Sequence, residues 1–359
     1  MRIAIMSPWN DACGVALHAE LIGRAFLELS HDIVVFGAKD ERVKGRIPLD
    51  VEDEPFVYRN WEMYRYGWRI RDDNELNLYF DEKPLLEENY DVFIIEKPTL
   101  SPLGKLLKIF NEIRSKATTI AVMHEGEPII NENFMKLNFD AYTIFDKRFL
   151  NILGNILPSD KTFIIPYPCH PIKTGDRKKA REKLDLPLDK KIVLVFGIRI
   201  KNLFDILPVL ERLSNEYDLL LLIIAKEKEN AEAGRRIADK YEWAEFRYGA
   251  PPTSVIYDYL HASDAVLFHR GPANYIPVSS AVHQTLGALT PIICPDNNFF
   301  ETFNKEVLKY RSLTELEERL REVFEHQPVV NEVIRNAKEF VRKHEARKIA
   351  EMYLKLIEE

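Results

Sequence analysis

Short apolar runs, each closed by glycine, proline or charged residues, alternate along the chain with stretches of helical period. Runs of this length rich in Val, Ile and Phe read as buried strands. The first is Arg2 to Met6, broken by Ser7-Pro8-Trp9-Asn10-Asp11. Gly14 then precedes a helix predicted over Val15 to Leu29, with Leu17, Leu21, Ala25 and Leu29 on one face. Asp32–Gly37 is the next strand. After an irregular stretch, parallel α/β order resumes with strands at 91–95, 118–123, 141–145 and 162–165 and a helix over Leu103–Ser115.

Pro166, Pro168 and Pro171 crowd together, with Gly175 close behind. Prolines stiffen a connection and cannot continue either sheet, so the boundary falls here. A second series follows. Its strands are predicted at 191–197, 218–225 and 245–248, with helices near Phe204–Glu216 and Ala231–Tyr241 and a short one, capped by Ser254, ending at His261. Amphipathic helices Leu313–His326, Val330–His344 and Ala346–Glu358 close the chain. The predicted domains are residues 1–168, residues 176–340 and a terminal helix over 341–359.

Within the second series the stretch from Ala262 to Asp296 is the most informative. A strand over Ala265–Phe268 leads into the loop Gly271-Pro272-Ala273-Asn274. Ser279 and Ser280 stand at helix-cap positions before Ala281–Leu286, and a strand follows over Pro291–Cys294. In parallel sheets ligands sit at the carboxyl ends of strands, where a helix N-terminus offers free N–H groups to an anion. The loop from His269 to Ser280 is therefore the expected place for a phosphate, although taken alone such a crossover is only a structural unit.

Composition narrows the function classes. At 359 residues the chain exceeds one ordinary core. Its 50 basic and 57 acidic residues give a net charge of −7 with no basic run, which argues against nucleic acid and for a small polar substrate. Cys13, Cys169 and Cys294 lie far apart with no metal-ligand spacing, and each is expected to be a small buried hydrophobe. Neither a signal peptide nor an apolar run of membrane-spanning length is visible, so the chain reads as cytoplasmic, with room for a peripheral membrane contact.

Two motifs need separate readings. The loop before Val15 carries one glycine, Gly14, and no G-x-G-x-x-G, which excludes a nicotinamide or flavin fingerprint. Gly14 is better explained by a close approach of backbone to a ligand or a neighbouring strand. From Phe56 to Pro84, Tyr58, Trp61, Tyr64, Tyr66 and Trp68 lie among arginines. Such rings can stack on sugars, but the favoured reading is that they close the edge of the N-terminal core.

Taken in order, these residues resemble the GT-B nucleotide-sugar glycosyltransferases, specifically glycosyltransferase family 4. The resemblance rests on Gly14-Val15-Ala16-Leu17-His18-Ala19-Glu20 with His31–Val35, on His124-Glu125 after the strand ending at Met123, and on Ile164-Ile165-Pro166. It rests also on Val195–Asn202, similar to the family's Gly-Arg…Lys-Gly turn, and on the closing helix through Met352-Tyr353-Leu354. It implies two Rossmann-like parallel-sheet domains facing across a cleft, with the C-terminal helix returning to the N-domain. The implied activity is transfer of a sugar, with retention, from a UDP- or GDP-sugar to a sugar, lipid or small-molecule acceptor.

Such a transfer must stabilise a departing diphosphate and an oxocarbenium-like sugar. Without an Asp-x-Asp pair or a metal-ligand cluster, no metal or other cofactor is expected. Arg199, Lys201 and the amides around Ser279 and Ser280 are the candidates for the diphosphate, with Gly14 on the opposite domain. His124, placed at the rim of its sheet with Gly126 allowing a turn, is the catalytic candidate. One departure stands out. The family carries two glutamates separated by seven residues in the Ala262–Asp296 stretch, where they hold the ribose and the donor sugar. Here Ile276 and Gln284 fall at those positions and no acidic residue lies between Asp264 and Asp296. Asp296 and Glu301 are the candidates to substitute; otherwise the chain is a divergent branch that grips the diphosphate with Ser279 and Ser280, or one that has lost transfer. A non-catalytic sugar-nucleotide-binding or scaffolding protein is the alternative reading, and a nucleotide-sugar epimerase a third.

Overall fold

The computed structural model describes residues 1–39, 47–63, 78–129, 131–197 and 199–358. Two compact units emerge. One comprises Met1–Pro48, Glu52–Pro168 and Ala346–Glu359; the other comprises Leu49–Val51 and Cys169–Glu345.

The first unit is built on a seven-stranded sheet. Its strands are β1 (Arg2–Ser7), β2 (Asp32–Ala38), β3 (Val57–Trp61), β4 (Val92–Glu96), β5 (Thr118–Val122), β6 (Ala141–Ile144) and β7 (Thr162–Ile164). They lie in the order β3-β2-β1-β4-β5-β6-β7 and every pair is parallel. Of the two central strands, β4 is buried at every position and β1 at every position after Arg2, as strands covered by helices on both faces must be. The order reverses direction between β1 and β4, which makes their carboxyl ends the switch point.

The last helix, Ala346–Glu358, belongs to this unit and packs on the helix Gly14–Glu28. Tyr353 is fully buried there, with its hydroxyl 3.1 Å from that of Thr143 at β6. Residues 341–344, predicted as part of this terminal element, instead complete the preceding helix Pro328–His344 in the second unit. That helix runs without interruption until Glu345 takes an extended backbone.

The second unit holds β8 (Lys191–Phe196), β9 (Leu219–Ala225), β10 (Ala244–Tyr248), β11 (Ala265–Leu267), β12 (Ile292–Pro295) and β13 (Leu308–Tyr310). Their order is β10-β9-β8-β11-β12-β13, again all parallel. Alternation along the strands splits the core into two layers. Val193, Val195, Leu221 and Ile223 face one side, while Ile192, Leu194, Leu222 and Ile224 face the other. Here the switch point lies between β8 and β11. At the opposite end of the same strands, Asp264 is buried and accepts from Arg177, Arg181 and the amide of Ile192 at 2.8, 2.9 and 2.8 Å.

Several expectations change. The stretch after Phe56 contains an edge strand, β3, where Trp61 is buried and donates to the Phe36 carbonyl at 2.8 Å. Tyr58 is exposed and donates to Glu88, while Tyr64, Tyr66 and Trp68 lie outside the described residues. Ser254 lies inside the helix Thr253–Ala262, behind Pro252 at the cap position. Cys169 and Cys294 are buried, but Cys13 is exposed at the cap of Gly14–Glu28, its sulfur accepting from Ala16. Among the described residues no helix is long and apolar enough to cross a membrane.

Candidate functional site

In the second unit the loops at the switch point are set by the pairing of β8 with β11. Their last aromatic residues, Phe196 and Phe268, pack with ring centroids 5.9 Å apart. Beyond Phe196 the chain makes a left-handed turn. Gly197 has φ 89°, a conformation that favours glycine, and Arg199 adopts φ 76° without that freedom. Local strain of this kind costs roughly 1–3 kcal/mol and gathers at functional sites. The turn is over-determined: the amide of Ile200 is captured at 2.8 Å by Asn230, itself held by Glu227.

Arg199 is exposed, and among the described residues its guanidinium has no hydrogen-bond acceptor or carboxylate partner. Lys201, on the same turn, pairs with Glu229 at 3.6 Å, but both side chains are more than half exposed. A pair of that kind is worth little and exchanges readily.

Arg270, two residues beyond Phe268, is a site residue that sequence reasoning missed. Its guanidinium carbon lies 3.5 Å from the centroid of the Phe299 ring, and its Nη2 reaches the Tyr275 hydroxyl at 3.3 Å. Burial foremost, and the nearby charge of Arg199 in addition, hold its pKa below the ordinary value, while Tyr275 works against them. No pattern along the chain marks a lone arginine in a Gly/Pro loop. Only the adjacency of β8 and β11 brings it to Arg199.

Ser279 and Ser280 follow on the same loop, but not as capping residues. Ser279 holds the cap position of the helix Ser280–Thr285, with ψ 83° and no side-chain hydrogen bond to the helix. The amide of Ser280 is already taken by the Val278 carbonyl at 3.1 Å. The helix is one short turn and a half, so its dipole is small. Among the described residues no hydrogen bond or ion pair joins either serine to Arg199 or Lys201. The substitute carboxylate Asp296 is engaged by Arg311 at 2.8 Å and Lys309 at 3.4 Å. Gln284 donates to Thr253 at 2.9 Å.

In the first unit Gly14 opens the helix after β1, and its carbonyl accepts from the Tyr167 hydroxyl at 2.6 Å. His124 does follow β5, but its side chain is turned inward and is only 8% exposed. Its Nε2 lies 2.7 Å from one oxygen of Glu96 at the end of β4, and Nδ1 of His18 lies 2.8 Å from the other. Burial works to raise the pKa of Glu96, but the two histidines outweigh it and hold the carboxyl below its usual range. An ionised carboxylate only accepts, so both facing nitrogens carry protons. Burial pushes the His124 imidazole down to about 4, which leaves its Nδ1 an acceptor at neutral pH. Nε2 of His18 is buried with no partner.

The chain bends at Gly126 as expected, without a left-handed φ there, and the left-handed residue nearby is Lys97, with φ 47°. Lys97 and Glu125 are both buried, and the hydroxyl of Thr99 donates to Glu125 at 2.7 Å. Burial lowers the pKa of the lysine and raises that of the glutamate. His18, Glu96 and His124 also place three potential metal-ligand atoms within 4.8 Å of one another, the one such trio among the described residues. Hydrogen bonds already satisfy the facing atoms of that trio.

No family model matches the chain. Among solved structures it is similar to a sucrose-phosphate synthase from Thermosynechococcus elongatus, at 14% identity and TM-score 0.64, over 99% of this chain and 98% of that one. An alpha-glucosyltransferase solved with UDP-glucose and DNA containing an abasic site matches over the whole of both chains, at 12% identity and TM-score 0.65. Trehalose-6-phosphate synthase OtsA matches at 12% identity and TM-score 0.64, over 100% of this chain and 99% of that one. The fold is therefore of the GT-B type: two Rossmann-like parallel-sheet units, as in nucleotide-sugar glycosyltransferases.

Proposed function

We propose that the protein is a metal-independent glycosyltransferase that takes its sugar, with retention, from a UDP- or GDP-linked donor. The observation that carries this reading is Arg199, a guanidinium with no acceptor among the described residues, on a strained turn at the switch point of a GT-B-type sheet. An anionic ligand there relieves an uncompensated charge, and the departing diphosphate is such a ligand. Lys201 adds a second cation by exchanging its exposed partner. In this reading the second unit is the donor side and the first the acceptor side, with His124 as its catalytic candidate. The acceptor is a sugar, lipid or small molecule. Two similar structures of an alpha-glucosyltransferase were solved with DNA, but the acidic balance of this chain argues against a nucleic-acid acceptor. The cytoplasm is the proposed compartment.

Calorimetric titration of UDP and GDP into Arg199→Ala and Lys201→Ala tests the donor site. Loss of one charged hydrogen bond costs about 1.5–3 kcal/mol, so each variant is expected to bind roughly 10- to 150-fold more weakly. Unchanged affinities would show the site to be placed wrongly. A panel of radiolabelled nucleotide sugars then reads turnover, with the anomeric configuration of the product testing retention.

One observation favours a second reading, a sugar-nucleotide-binding protein without transferase activity. No acidic residue lies between Asp264 and Asp296, and Asp296 is already neutralised by Arg311 and Lys309. Tight nucleotide-sugar binding with neither transfer nor hydrolysis across the panel would select it.

A further inference from the structure

Arg270 exceeds what a diphosphate requires. A nucleoside diphosphate ester carries about two negative charges at neutral pH, and Arg199 and Lys201 are available to meet them. Arg270 is a third cation at the same sheet edge, and its setting differs from theirs. Arg199 and Lys201 are exposed, but Arg270 is half-buried, with its guanidinium fixed on the face of Phe299 and against the Tyr275 hydroxyl.

A guanidinium held by its face, with one Nη2 proton on the Tyr275 hydroxyl, still has further N–H groups for a planar, two-oxygen acceptor, and its geometry is fixed before the ligand arrives. The surroundings sharpen the point. A neutral hexose needs acceptors for its hydroxyl protons, and carboxylates are the strongest that side chains supply. From residue 265 to residue 295 the chain supplies none. Asp296, just beyond, is held by two cations.

We propose that Arg270 reads a carboxylate on the donor sugar, so that the substrate class is a nucleotide-linked uronic acid rather than a neutral hexose. This rests on the donor-site reading above. Positive charge left over after the diphosphate is bound then meets the sugar's own anion, and neutral sugars leave Arg270 half-buried and uncompensated.

The test compares bare nucleotides with matched sugar pairs by calorimetry. UDP is set beside UDP-glucose and UDP-glucuronate, and GDP beside GDP-mannose and GDP-mannuronate. The parent is expected to bind one uronate roughly ten- to a hundredfold more tightly than its neutral partner. Arg270→Gln is expected to abolish that preference while affinity for the bare nucleotide stays the same. Arg270→Lys, which retains charge but loses the planar fork, is expected to keep only part of the preference, and it stands in if the glutamine variant does not fold. Equal binding of uronate and hexose by the parent would overturn the proposal. So would an Arg270→Gln variant that loses bare nucleotide and both sugars alike, since Arg270 would then belong to the diphosphate. Failure of the parent to bind any of the six compounds would instead overturn the donor site itself, and this inference with it.

Discussion

Nε2 of His124 donates to Glu96 at 2.7 Å, and the same carboxylate accepts from Nδ1 of His18 on its other oxygen at 2.8 Å. His124 is thus oriented as a histidine beside a carboxylate is in many acid–base sites, but it is also a packed interior group. Its ring lies 4.8 Å from that of Phe145 and 5.3 Å from that of His18. His124→Ala is therefore expected to cost stability, about 1–3 kcal/mol, whatever its role in turnover. Denaturant melts combined with activity per folded molecule separate the two. Normal specific activity in the folded fraction would remove His124 from the reaction.

Two buried groups of the first unit titrate in opposite senses. His124 has its pKa pushed down to about 4 from 6.5, so between those values the unfolded chain takes up a proton and the folded one does not. Stability falls there as pH falls, by at most about 1.4 kcal/mol per pH unit. Glu20, which accepts from the amide of Asn10, is pushed by burial up to about 7 from 4.5. It keeps its proton in the folded state while the unfolded chain loses it, so stability falls as pH rises through that window. The two contributions therefore oppose each other from pH 4.5 to 6.5. Relative to the parent, urea midpoints across this range should slope downward with rising pH in His124→Gln and upward in Glu20→Gln. Parallel profiles in all three proteins would refute this.

Asp264 is the charged anchor of the second unit's far edge. Truncation leaves Arg181 buried without its carboxylate and the Ile192 amide without its acceptor. Asp264→Ala is expected to lose about 3–5 kcal/mol, read by urea unfolding. A loss below ~1 kcal/mol would mean that water replaces the carboxylate.

Tyr353 divides its contribution between ring and hydroxyl. Tyr353→Phe gives up the hydrogen bond to Thr143 and should cost about 0.5–1.5 kcal/mol. Tyr353→Ala empties a fully buried ring position, for which about 3–5 kcal/mol is expected. Equal effects in thermal melts would show that packing contributes nothing there.

What the sequence revealed follows from burial. Leu219–Ala225 is buried at every position and so reads as an unbroken apolar run. β3 was hidden because it is an edge strand whose Arg59 forms a salt bridge with Asp53, breaking the apolar pattern. β13 has three residues, with Lys309 in the middle, too few to show a period. Glu96 falls just outside the strand predicted at 91–95, whereas it is the strand's last member and the partner of two histidines. Arg199 was legible because it directly follows a strong strand. Arg270 was not, because its neighbour β8 is far away in sequence and next to it only in the sheet.

The short segment Leu49–Val51 carries a different consequence. Its middle residue exchanges hydrogen bonds with Ala250 at 2.8 and 2.7 Å and pairs with Lys226 at 2.7 Å, so it is a working part of the second unit although it lies within the chain of the first. The last helix is displaced in the reverse sense. A gene divided after Pro168 would thus give two products, each missing a piece of itself and carrying a piece of the other. A single crossover anywhere in this chain therefore exchanges neither unit whole.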